Sequence, residues 1–252
     1  MENKVLNIPF SKSFVDELAK RLLDETRDNP LSLSDILILL PNRRAVSSLK
    51  DAFVRHNGLM PTMLPRMQVI GDSDEEELLL TGLSSFAQVE DISPAIDKVE
   101  RLLIFTKIIM SRPKEFGITD LSSAQACYLA GELANLIDVV ENERLSFDKL
   151  ENLVPEEYTA YWQETLNFLN IITQFWPSIQ AERGVVDSSK RRNQLLEMQI
   201  NIWKQSPPQN RIIAAGTTAT YPLMKELVKT ILGFEKSELM IYGLDRDIED
   251  EA

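Results

Sequence analysis

Residues 35–44, Asp35-Ile-Leu-Ile-Leu-Leu-Pro-Asn-Arg-Arg44, decide the fold. A continuous apolar run without polar alternation, stopped by a proline, reads as a strand covered on both faces within a parallel sheet. A helix opens at once. Asn42 is a capping residue, and Ala45, Leu49, Ala52 and Phe53 recur at the spacing of one helical face.

The same rhythm extends outward in both directions. Before this stretch, Val5-Leu-Asn-Ile-Pro9 reads as a short buried strand, and Phe14, Val15, Leu18, Leu22 and Leu23 mark a helix. After it, Met67-Gln-Val-Ile-Gly-Asp72 reads as a third strand. From Pro94 to Pro208 the period becomes helical throughout, with helices expected near 96–111, 121–143, 157–181 and 188–205. In the third of these, Tyr158, Tyr161, Trp162, Leu169, Phe175 and Trp176 share a face, which reads as helical core rather than a base-stacking platform. Beyond Pro207-Pro208 the alternation returns: Arg211-Ile-Ile-Ala-Ala-Gly216 is a strand, Tyr221–Leu232 a helix and Glu238–Gly243 a strand. The expected class is α/β. Residues 1–93 and 209–252 form one parallel-sheet domain, interrupted by an all-helical insertion at 94–208.

The chain has 252 residues, 44% of them hydrophobic and 26% charged, the composition of a globular protein able to bury a core unaided. No apolar run reaches the roughly 20 residues that span a bilayer, and the opening Met1-Glu-Asn-Lys-Val5 has no signal-peptide core, so a cytoplasmic protein without membrane partners is expected. The single cysteine, Cys127, excludes a disulfide framework and a cysteine-rich metal site, and its small-residue helical setting predicts a buried position. A net charge of −12 argues against nonspecific binding of duplex DNA but leaves room for a local basic groove. The acidic end, Asp245-Arg-Asp-Ile-Glu-Asp-Glu-Ala252, directly after an apolar strand, suggests a piece of something longer.

A parallel sheet interrupted by a helical insertion is a layout of nucleotide-driven motors. A phosphate loop needs glycine amides to wrap the phosphates and a lysine to reach them, in the pattern G-x-x-x-x-G-K-[ST]. Here Ser11-Lys12-Ser13 follows the first strand, and no glycine occurs before Gly58. The later strands, running into Gly216-Thr217-Thr218 and Gly243-Leu244-Asp245, carry no adjacent acidic pair to hold magnesium and orient water. The only histidine, His56, reads as a solvent-facing cation at a helix C-terminus, which removes histidine-based triads. No catalytic, cofactor or metal residues are assigned. The acidic run Asp72-Ser-Asp-Glu-Glu-Glu77 carries the alternative, an autonomous metal-dependent enzyme of phosphate chemistry.

An ordered set of segments resembles the N-terminal helicase-like region of the AddB family of double-strand break repair proteins, in its alphaproteobacterial form. The segments are Leu39-Leu-Pro-Asn-Arg-Arg-Ala45, Leu64-Pro-Arg-Met67 with Gly71-Asp-Ser-Asp-Glu-Glu-Glu-Leu78, Tyr161-Trp-Gln-Glu-Thr-Leu-Asn-Phe-Leu169, Arg191-Arg-Asn-Gln-Leu-Leu196, Ile213-Ala-Ala-Gly-Thr-Thr-Ala-Thr-Tyr-Pro222 and Gly243-Leu-Asp245. The resemblance implies a helicase-like parallel sheet with a degenerate phosphate loop. It also implies a longer full protein, with an iron–sulfur cluster and magnesium in a nuclease domain that this chain lacks. The partners it implies are an AddA-like helicase–nuclease subunit and single-stranded DNA, bound weakly by this chain alone.

The groups suited to guiding a strand lie where strands run into loops. Asn42, Arg43 and Arg44 follow the second strand, and Thr217 and Thr218 follow the strand at 211–215. Arginines and hydroxyls there can contact phosphates, while capping and surface ion pairs remain equally open readings for Arg43 and Arg44. Lys190, Arg191 and Arg192 form a second candidate cluster. Basic residues in the first turn of a helix oppose its dipole, so a partner, a nucleic acid or a solvated face are the readings open to them.

Overall fold

A computed structural model describes residues 4–58, 60–70, 92–111, 120–147, 169 and 174–244. The run at 35–40 supplies β2 (Leu37–Leu40), buried along its whole length. It pairs with β3 (Arg66–Val69) on one side and with β4 (Ile212–Ala215) on the other. The sheet continues through β5 (Ser237–Tyr242) to β1 (Val5–Ile8), giving five parallel strands in the order β1-β5-β4-β2-β3. Strand β4 therefore pairs with a strand far earlier in the chain, with Leu39 opposite Ala214. The acidic run 72–77 and the first part of the expected helix at 157–181 lie outside the described residues.

Each central strand has two apolar faces because helices cover both. On one face, Ile38, Leu40, Ile213, Ala215 and Met240 pack against Leu18 and Leu22 of α1 (Phe14–Glu25) and Leu49 and Phe53 of α2 (Arg43–His56). On the other, Leu37, Leu39, Ile212 and Ala214 meet Leu196, Ile200 and Trp203, which belong to a later helix, and Leu223, Leu227 and Ile231 of a helix at Pro222–Leu232. The period of two along β2 and β4 thus divides their side chains between two helical layers. At the amino edge of the sheet, Arg211 bridges Glu25 of α1 and Glu238 of β5, and Arg21 pairs with the same two carboxylates. Burial alone would raise the Glu25 carboxyl, but Arg211 and Arg21 outweigh it and hold it below its ordinary value.

The chain divides into two compact units, one within 1–86 and 196–252, the other within 87–195. In the second unit α3 (Lys98–Ser111) packs on α4 (Ser123–Asn142) through Phe105, Ile109, Ala126, Ala130, Leu133 and Ile137, with Trp176 against the Phe105 ring at 4.6 Å. A capping box between Ser122 and Gln125 starts α4. A single parallel bridge, Ala95 to Val186, is the only strand-like pairing among this unit's described residues. Helix α5 (Ser188–Gln205) begins in this unit and ends in the first. The insertion boundary expected at 208 therefore falls inside that helix, because Leu196, Ile200 and Trp203 pack on the sheet. The last helix is α6 (Pro222–Leu232).

One sequence expectation needs correction. Cys127 is exposed, because the buried stripe of α4 runs through Ala126, Ala130, Leu133 and Ile137 and leaves the next position about 100° away. His56 ends α2 and is exposed, as expected, with its Nε2 2.7 Å from Asp16 of α1. No helix among the described residues is long and apolar enough to cross a membrane.

Candidate nucleic-acid interface

Strands β2 and β4 are neighbours whose following helices leave on opposite faces, α2 with α1 and α6 with α5. In an open parallel sheet that reversal opens a crevice outside the carboxyl ends of the two strands, where ligands bind. The loops flanking it are Pro41-Asn42 and Gly216–Tyr221. Asn42, Arg43, Arg44, Thr217 and Thr218, far apart in sequence, are thus brought to one sheet edge on adjacent strands roughly 4.8 Å apart.

Local chemistry fixes each of these groups. Asn42 has extended backbone, and its Oδ1 accepts from Ala45 N at 2.9 Å, so it caps α2. Arg43 and Arg44 follow in the first turn and are exposed. Across the crevice, Gly216 takes a positive φ and donates to Met240 O at 2.8 Å, turning the chain off the sheet. Thr217 is buried, its Oγ1 accepting from Ala219 N at 3.2 Å within its own turn. Thr218 is exposed and shares a 2.9 Å hydrogen bond with Thr220. Only Thr218 of this pair offers its hydroxyl to an outside group.

The loop after β1 is not built as a phosphate cradle. A cradle needs successive amides turned inward by left-handed residues, and no residue from Pro9 to Ser13 has positive φ. Lys12 is paired with Glu17 at 3.1 Å. Ser13 hydrogen bonds to Asp16, whose carboxyl that bond, together with Arg55 and His56, holds far below the ordinary range. Phe10 and Phe14 fill the space beside the strand ends, Phe14 against Gly216 and Phe10 against Gly243.

The other basic cluster lies in the other unit and is largely committed. Arg191 is buried and donates to the carbonyls of Ile92 (2.7 Å) and Ser93. Burial lowers its pKa. Arg192 is half-buried and donates to Asn142 Oδ1 at 2.5 Å, while Lys190 is exposed. These contacts supply what the unfavourable dipole position requires: the first turn of α5 is held to the start of the unit and to the end of α4. Arg191 is thus a structural fastening, with no surface to offer a nucleic acid. The neighbouring Asp187 and Asp138 gather Arg101, Ser189, Trp176 and Gln180 into a polar cluster that sequence reasoning missed. Among the described residues, no three His, Cys, Asp or Glu converge on a metal-sized space.

Fold and edge together define an open, doubly wound α/β sheet whose ligand edge carries a capped helix start, two arginines, a threonine and aromatic rings. No protein-family model matches the chain, and no curated protein matches it significantly.

Proposed function

We propose that this chain is a noncatalytic, helicase-like scaffold module that guides single-stranded DNA within an AddAB-type helicase–nuclease processing double-strand breaks. The observation that carries the reading is the pairing at one sheet edge of an arginine-bearing helix start, at 42–44, with a first-strand loop closed by Phe10 and Phe14. The first offers cations and amides to a phosphate backbone; the second lacks the left-handed residues that would turn successive amides toward a nucleotide's phosphates. The ordered segments shared with the AddB family supply the biological setting. They also supply the AddA-like partner, which carries the working motor, and the helicase-like character of the sheet with its helical insertion.

The net charge of −12 repels a polyanion at long range, so affinity rests on a few local cations and is poor, with single strands preferred to duplex. Calorimetry with ATP and magnesium should show no saturable heat. Phosphate-ester substrates should not turn over with or without magnesium or manganese. Micromolar ATP binding would refute the closed first loop, and metal-dependent turnover would favour an enzyme built on the acidic run at 72–77.

A further inference from the structure

The aromatic rings that close the first loop have a second property. An added Cβ at Gly243 would lie 2.1, 2.2 and 2.5 Å from three atoms of the Phe10 ring at once, an approach that occurs only over the face of a ring. One face of Phe10 therefore rests on glycine backbone. The residue as a whole is nonetheless 70% exposed, so the other face is open. Its position is fixed from several sides: Tyr242 packs against it edge-on at 5.1 Å and 75°, and the Tyr242 hydroxyl reaches Phe10 O at 3.4 Å. Asn7 ties the strand beneath to the segment after β5, donating to Leu244 O at 2.8 Å and accepting from Leu244 N at 2.9 Å. Gly243, at φ +67, is the residue type that permits both the turn and the ring's approach.

We infer that Phe10, backed by Gly243 and braced by Tyr242, is a stacking platform for a base of single-stranded nucleic acid. The inference rests on the proposed function and deepens it by naming where a base sits. Strand order argues for this occupant. Phe10 follows β1, and Arg43 and Arg44 follow β2, so the ring and the arginines stand on the same carboxyl edge about 14 Å apart, three strand spacings of roughly 4.8 Å. The exposed Thr218 lies between them, after β4. An open ring, a hydroxyl and two cations in one row match a strand whose bases stack while its phosphates meet charge. A ring already locked in place loses little entropy when a base lands on it.

The test is anisotropy of the 252-residue chain with a labelled oligothymidylate and with an abasic oligonucleotide of the same length. Phe10→Leu should weaken oligothymidylate binding about 5- to 150-fold, leave abasic binding unchanged, and leave the salt slope unchanged because no charge is lost. Phe10→Trp should retain the preference for the base-bearing strand. Equal oligothymidylate affinity in wild type and Phe10→Leu would overturn the platform while leaving the arginine edge standing. Failure of the wild type to bind either oligonucleotide would overturn both the platform and the proposed function.

Discussion

Replacing Arg101 by methionine should destabilise the helical unit by about 3–5 kcal/mol, the cost of leaving a buried charge without its partner. Arg101 is 5% exposed, and its guanidinium faces two carboxylates and a backbone carbonyl. It meets Asp187 at 2.8 Å, Asp138 at 2.9 Å and Ala134 O at 3.1 Å, with its cationic head 5.5 Å over the Phe105 ring. Asp187 is equally buried and also accepts from Trp176 Nε1 at 2.8 Å and Gln180 Nε2 at 3.0 Å. Methionine fills most of the volume but strands that carboxylate. Urea unfolding measures the loss. A triple variant, Arg101→Met with Asp187→Asn and Asp138→Asn, buries no charge and should recover much of it. A loss under about 1 kcal/mol in the single variant would show that the cluster is solvated and does not fasten the helices.

The second large effect lies in the sheet unit. Trp203→Ala should cost about 3–5 kcal/mol, the range for emptying a large aromatic from a packed core. Trp203 is fully buried between the sheet and α6, and its ring meets Phe234 edge-on at 6.0 Å. Its indole N–H has no acceptor among the described residues. An orphaned buried donor costs about 1–3 kcal/mol, so Trp203→Phe, which removes that donor and keeps most of the ring, should lose less than half of what alanine loses. Equal losses in the two variants, measured by thermal unfolding, would mean that the indole nitrogen has a partner.

How much was legible in the sequence follows the reach of each signal. Apolar runs bounded by proline or glycine carry their own message, so 37–40 and 212–215 read as buried strands and are buried strands. The return of the chain to one sheet was legible in the same way, since a short strand apolar on both faces calls for helical layers on both, the setting of a strand inside a parallel sheet. The role of Arg191 was not legible: a basic residue in a first helical turn looks solvated until the carbonyls of Ile92 and Ser93, almost a hundred positions earlier, are placed beside it. Arg101 hid for the same reason, in a helix whose other charged residues face water. Of the candidate edge, the residues following the strands could be named in advance, because where a strand ends its loop begins. Phe10 could not, although an aromatic between Pro9 and Ser11 directly after a strand was a usable signal. Its significance depends on Gly243, which the sheet order alone brings beneath it.

The central claim is that the edge at Arg43 and Arg44 carries a phosphate backbone, and a salt series with single-stranded oligonucleotide tests it most directly. Each phosphate contact contributes about 0.7 units to the log–log salt slope on single strands, so replacing both arginines with alanine should flatten the slope by up to about 1.4 units and weaken binding. Both side chains are exposed, so the variant should keep its fold by circular dichroism. Unchanged affinity and slope in a folded double variant would contradict the account and leave the two arginines as surface residues of α2.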